Sequence, residues 1–174
     1  MDEPIENATE SSADSSTENP GATPAPRIVV GGALVRGGRV LAARRNTPAS
    51  VAGRWEFPGG KAEPGETEAQ ALERELLEEL GVRARALTRL PGAWTVRPGL
   101  ELRFWTAELL DGEPRPLLEH DELRWLGPDE LDSVDWLVHD RDVLPHVVPL
   151  LRVRGAKRPA TRARPDRSIG QDAP

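Results

Sequence analysis

Gly60–Val82, GKAEPGETEAQALERELLEELGV, joins a Gly/Pro-rich loop to a helix, and the remaining segments are read outward from it. The loop contains Pro58-Gly59-Gly60 and Pro64-Gly65. Thr67 is a good helix N-cap, and Gln70 three positions later closes a capping box. Glu68 lies in the first turn, where the helix dipole favours negative charge. Gly81 supplies the C-terminal stop. Between Glu68 and Leu80 there is no Gly, Pro or β-branched residue, so helix propensity agrees. At about 100° per residue, Ala69, Leu72, Leu76 and Leu80 form one apolar stripe. Glu75, Glu78 and Glu79 fall on a neighbouring arc, with the small Ala71 among them. Like charges at this spacing repel by a few tenths of a kcal/mol per pair, approximately, and Arg74 offsets part of that by pairing with Glu78 four residues on. Two readings follow. One is a solvated acidic face. The other is a carboxylate cluster beside backbone carbonyls, which suits a hard cation such as Mg²⁺ shared with substrate phosphates. Acids that abut the apolar stripe, preceded by a rigid loop, favour the second.

The same residues resemble the Nudix box, G-x5-E-x7-R-E-U-x-E-E-x-G-U with U apolar. Gly60, Glu66, Arg74, Glu75, Leu76, Glu78, Glu79, Gly81 and Val82 match all nine constrained positions. The neighbouring segment Gly53–Lys61, GRWEFPGGK, is similar to the MutT branch of that family. The resemblance implies an α/β (α+β) Nudix fold, a mixed β-sheet sandwiched between helices. It also implies Mg²⁺ dependence, with Mn²⁺ as an alternative. Glu75, Glu78 and Glu79 are then metal ligands, joined by a carbonyl of Gly59 or Gly60. Glu75 either ligates or serves as base on the water, Arg74 positions the acids, and Glu66 holds the loop.

Composition bounds the other possibilities. The chain has 174 residues, enough for one domain with a real core. It has no Cys, which excludes a disulfide framework and a thiolate metal site. No apolar run approaches the ~20 residues of a membrane span, and the acidic N-terminus lacks the features of a signal peptide; the expectation is a cytoplasmic protein. The net charge of −6 is uneven. Residues 1–26 are acidic, without a base, and too poor in apolar residues to fold. Residues 152–174 are Arg-rich. The expected organisation is an acidic disordered tail (1–26), a Nudix domain (27–151) and a basic disordered tail (152–174). An acidic domain is a poor general nucleic-acid binder, so no stable nucleic-acid partner and no membrane contact are expected. Monomer and homodimer both stay open.

In chain order, Ile28–Val35 reads as a buried strand, Arg36–Arg39 as a hairpin turn and Val40–Arg44 as the return strand. Arg44 and Arg45 close it. They are either a solvated strand end or a phosphate clamp suited to planar guanidinium groups; the MutT resemblance favours the clamp, most strongly for Arg45. Arg54–Pro58 reads as a short strand. By resemblance, Glu56, Phe57, Pro58 and Gly59 line the nucleotide site, and Lys61 follows directly; Trp55 is equally a core or a base-contacting residue. One strand is expected at about Arg85–Trp94, another at Leu100–Leu110, and a third at Leu123–Leu126. The acidic loop Glu119-His120-Asp121-Glu122 precedes the third. There the resemblance makes Glu119, with Glu122 as fallback, a further metal ligand, while His120 reads as solvated. The last helix opens near Val134–Leu144 and runs to about Leu151. Asp140 is either its N-cap or, by resemblance, a base-edge contact.

The resulting expectation is a MutT-like hydrolase that cleaves 8-oxo-dGTP or related (d)NTPs, such as CTP and dCTP, to the monophosphate and pyrophosphate, cleansing the nucleotide pool. Two alternatives stand beside it: a nucleoside-diphosphate-X hydrolase, as for ADP-ribose, and a non-catalytic nucleotide-sensing Nudix domain.

Overall fold

A computed structural model of the protein describes residues 25–155. The acidic tail read at 1–26 lies almost wholly outside these residues, as does most of the basic tail read at 152–174. The strands are β1 (Arg27–Arg36), β2 (Arg39–Arg45), β3 (Trp55–Glu56), β4 (Gly59–Lys61), β5 (Arg83–Arg89), β6 (Trp94–Arg97), β7 (Leu100–Asp111) and β8 (His120–Leu126). The helices are α1 (Glu68–Leu80) and α2 (Val138–Gly155), with a 3-10 turn at Leu131–Ser133. The central sheet runs β3-β2-β1-β7-β5, with β4 on β1, β6 on β7 and β8 on β2. It is mixed: β1 pairs with β7 in parallel and with β2 and β4 antiparallel.

Strand alternation splits the core into two layers. Val30 and Leu34 on β1, with Leu41 on β2, pack against Ala71, Leu72, Leu76 and Leu80 of α1. Ala33, Val35, Val40 and Ala42 face the other way, against Phe104, Trp136, Val143, Val147 and Leu151. The sheet therefore lies between α1 and α2, as the family resemblance implied. Tight spacing needs glycine at the sheet: a Cβ on Gly31 would stand 2.5 Å from the Phe104 ring.

Helix α1 has the expected ends. Thr67 and Gln70 form both halves of the capping box, and Gly81 is left-handed (φ 67) with its N–H donating to the Leu77 carbonyl. The stripe is rotated from the expected one: Ala71 is buried in the core and Ala69 is only partly covered. That rotation carries Glu79 inward with it.

Four boundaries differ from the sequence expectation. Gly59–Lys61 is a strand, because its backbone pairs with Val29–Gly31 although glycine has little strand preference of its own. The expected single strand at 85–94 is two, β5 and β6, parted at Pro91-Gly92, where Gly92 has φ 101. Strand β8 starts at His120, since that residue pairs with Arg45 across from β2. Residues Val134–Leu137 are extended beside β3, and Trp55 N–H donates to Asp135 while Leu137 N–H donates to Trp55. Helix α2 therefore opens only at Val138 and continues to Gly155, with Pro145 and Pro149 on its exposed face. No helix among the described residues is long and apolar enough to cross a membrane.

Candidate active site

A cleft of about 1060 Å³ opens between the ends of β2, β3, β4 and β7, helix α1 and the start of α2. Its floor is the place where β4 crosses α1. Gly59 N–H donates to Glu79 Oε2 at 2.9 Å. A Cβ on Gly60 would overlap the Glu75 carboxyl group. Gly60 thus lets a backbone carrying carbonyl groups lie directly against the Glu75 carboxylate, while the backbone of Gly59 meets Glu79.

Arg74 organises this region. Its guanidinium forms a two-pronged contact with Glu66 (2.8 and 3.0 Å) and donates to Glu75 Oε1 (3.0 Å) and to the Lys61 carbonyl (3.0 Å). The expected pairing with Glu78 is present at 3.5 Å but is the longest of its carboxylate contacts. Glu66 also accepts from Glu63 N–H, closing the loop on itself. The Arg74 hydrogen bonds, together with that N–H, hold the Glu66 carboxyl at about 2. Glu66 stays ionised and ties loop to helix, as its place in the box implied.

The floor carboxylates behave oppositely. Burial pushes Glu79 up to about 7; His120 pulls it back, and Glu56 and Glu75 push it further up. Burial also raises Glu75, with repulsion from Glu78 and Glu66 added and Arg74 opposing. Crowded, buried carboxylates of this kind gain from a cation. The donors are all oxygen, which suits a hard divalent ion. Among the described residues no three His, Cys, Asp or Glu side chains converge as a ready ligand group. Instead Glu79 is turned to Gly59, Glu75 to Arg74, and Glu78 is half exposed outside the cleft. The donor chemistry of Glu75, Glu79 and the glycine carbonyls fits such an ion, and Glu78 lies on the same arc of α1.

A second network forms the adjoining wall. His120 Nε2 lies 2.9 Å from Glu56 Oε1, and the ring is fully buried. Arg45 Nη1 donates to the same oxygen at 2.7 Å, and its Nη2 reaches Glu119. Beside them, Asp140 Oδ1 accepts from Phe57 N–H at 2.7 Å. Burial raises Asp140 well above the usual carboxylate range, and nearby Glu56 adds to this. The cleft therefore grades from metal-suited acids at Gly60 to hydrogen-bonding groups at Asp140.

The expected site residues divide accordingly. Arg45, Glu56, Phe57, Gly59, Gly60, Lys61, Glu75, Glu79, Glu119 and Asp140 all line the cleft. Arg44 does not. Alternation along β2 sends it to the opposite face, where it pairs with Asp121 and with Glu122, the fallback ligand. Pro58 contributes to the sheet through its carbonyl, which accepts from Gly32 N–H at 2.9 Å. The Phe57 ring packs on Trp136 and Phe104 in the core. Trp55 is buried as well, with the Arg124 guanidinium 4.8 Å above its ring. Asp140 is not the helix cap, because its side chain is taken by Phe57 from within the first turn of α2.

His120 was read as solvated, and the structure overturns this. It is a strand residue, buried against Glu56. The acidic letters around it look like a loop, and its only sequence signal is a lone imidazole beside Glu119. The burial comes from pairing with β2, 75 residues earlier at Arg45.

Comparisons with known proteins show the family. A family model described as the NUDIX domain matches residues 25–147. The chain is 47% identical over 118 residues to a Mycobacterium tuberculosis (strain H37Rv) protein provisionally named 8-oxo-dGTP diphosphatase 2, an alignment covering 66% of this chain and 83% of that one. It is 38% identical over 104 residues to the CTP pyrophosphohydrolase of Escherichia coli (strain K12), covering 59% and 76% respectively. Among solved structures, that of the E. coli ORF135 protein superposes with a TM-score of 0.59 at 33% identity, covering 78% of this chain and 95% of that one.

Proposed function

Because the chain belongs to the Nudix hydrolase family, whose members are generally dependent on divalent metals, we propose that it hydrolyses nucleoside triphosphates to the monophosphate and pyrophosphate with Mg²⁺. The substrates are 8-oxo-dGTP or related (d)NTPs such as dCTP and CTP, and the role is to clear unwanted nucleotides from the cytoplasmic pool before they enter DNA. The observation that carries this reading is the meeting of buried Glu79 with Gly59 and of Glu75 with Gly60, at the floor of a cleft whose other wall holds Asp140 and Glu56. The relatives named for 8-oxo-dGTP and CTP support the choice of nucleotide.

Glu75, Glu78 and Glu79, with a carbonyl of Gly59 or Gly60 and with Glu119, would hold the ion. When bound, Mg²⁺ neutralises phosphate charge and lowers the pKa of the attacking water. Glu75 shares the work of ligand and proton acceptor. Arg74 fixes the Glu75 carboxyl and, through Glu66 and the Lys61 carbonyl, the position of the loop. Lys61 stands exposed at the cleft and meets the phosphate chain. Arg45 is committed to Glu56 and Glu119. It shapes the nucleoside end of the cleft, and a phosphate clamp would require releasing those two partners. Asp140 and Glu56 present acceptors, and Asp140 when protonated a donor, to the base edge.

The test is a panel of 8-oxo-dGTP, dCTP, CTP and ADP-ribose with Mg²⁺, scoring pyrophosphate against phosphate release. Pyrophosphate from 8-oxo-dGTP or a cytidine triphosphate at high kcat/KM is the expected result. Hydrolysis of ADP-ribose alone would sink the reading.

A further inference from the structure

Leu118 is held in a costly conformation for no packing gain. Its φ of 52 makes it the one residue other than glycine with a positive φ among the described residues. For a leucine the left-handed region brings Cβ against its own backbone. Its side chain is nevertheless 70% exposed, so no core contact offsets that cost. The flanking backbone is pinned. Leu117 N–H donates to the Glu79 carbonyl at 3.0 Å, and Asn46 N–H donates to the Glu119 carbonyl at 2.8 Å. Glu119 is tied to Arg45 as well. The exposed leucine is therefore presented by a braced segment at the edge of the cleft that it lines. Strain of this sort, over-determined by its surroundings, marks functional positions.

Leu118 also has company. Of the seven large hydrophobic residues exposed among the described residues, three (Val96, Leu118 and Val138) line this one cleft. Scattered exposed apolar residues need no explanation, but a collar around a cleft mouth does. The contacts order what lies below it: Glu119 touches Arg45, Arg45 touches Glu56, and Phe57, the next residue, holds Asp140. Leu118, next to Glu119, and Val138, two residues before Asp140, thus stand at the Glu56–Asp140 end. A ligand for that end has apolar faces and polar edges, which describes a flat heterocyclic base.

We infer that Leu118 is a specificity-determining residue, whose side chain covers the face of the nucleobase at the cleft mouth. The inference rests on the nucleotide reading above and adds the residue that distinguishes a base-bearing ligand from a bare phosphate chain.

The test compares wild type, Leu118→Gly and Leu118→Met in the full chain with Mg²⁺. The dissociation constants of 8-oxo-dGMP, dCMP and pyrophosphate are measured by calorimetry, alongside Tm. Glycine accepts the left-handed backbone, so Leu118→Gly should hold or raise Tm, and a loss of binding cannot be put down to misfolding. Removing the apolar contact should weaken the better-bound nucleoside monophosphate about tenfold, leave pyrophosphate unchanged, and be largely reversed in Leu118→Met. Equal nucleotide affinity in wild type and Leu118→Gly would overturn the inference. So would equal weakening of pyrophosphate, or a wild type that binds pyrophosphate but neither nucleotide. Failure of the wild type to release pyrophosphate from any triphosphate would instead count against the proposed reaction, and the monophosphate affinities would still decide the role of Leu118.

Discussion

Glu79 sits where its charge is hard to keep, nine-tenths buried beside Glu56 and Glu75, with its carboxyl raised to about 7. Its folded value lies above the ordinary 4.5, so its contribution to stability is present in acid and is lost as pH rises toward and through 7. In EDTA, the metal-free wild type should therefore lose stability between about pH 5 and 8. Glu79→Gln should lessen that decline, to which buried Asp140 and Glu75 also contribute, retaining up to about 3 kcal/mol at pH 8; thermal melts across the pH range measure it. The same substitution should lower kcat at least about a thousandfold, so the variant is dead yet no less stable. His120 makes the opposite case. His120→Ala leaves a cavity and strips one partner from buried Glu56, and should cost roughly 3 kcal/mol in urea unfolding. A midpoint unchanged from wild type would show that the His120–Glu56 contact is not made in solution.

At the scale of elements, the decisive contact is β4 against α1. Gly60→Ala places a methyl group in the space of the Glu75 carboxyl. Displacement of a reacting group by about an ångström costs on the order of a hundredfold, and kcat/KM should fall by about that much while circular dichroism stays native. An activity within twofold of wild type would show that Glu75 is placed elsewhere when working. The two elements differ in how legible they were. Helix α1 is written locally: cap, box, period and stop all lie within fifteen residues of one another, and its bounds follow from them. Its rotation was less clear. Ala69 and Ala71 are equivalent as letters, and only the sheet it packs on selects Ala71 for the core. Strand β4 has no such local signature. Three residues, two of them glycine, become a strand because β1 supplies the partners.

For the molecule as a whole, the cleft exists because the sheet brings its strand ends to the same place as the starts of α1's loop and α2. A cation held there binds the folded chain and not the unfolded one, so it should raise Tm. At a hundredfold excess over its Kd, Mg²⁺ should add about 2.7 kcal/mol to the wild type and clearly less to Glu79→Gln. An equal shift in both would place the ion elsewhere. The reaction class was legible from the sequence, because the nine positions that match the Nudix box lie on one loop and one helix, where spacing along the chain is spacing in space. The contacts at the Glu56–Asp140 end were not, although the resemblance points to Arg45, Glu56 and Asp140 themselves. Glu56 meets His120 across 64 residues, Arg45 meets Glu119 across 74, and Phe57 meets Asp140 across 83. No periodicity links positions so far apart, and only the tertiary structure could bury His120, turn Arg44 away, commit Arg45 to two carboxylates, and hold Leu118 in its strained, exposed place at the mouth.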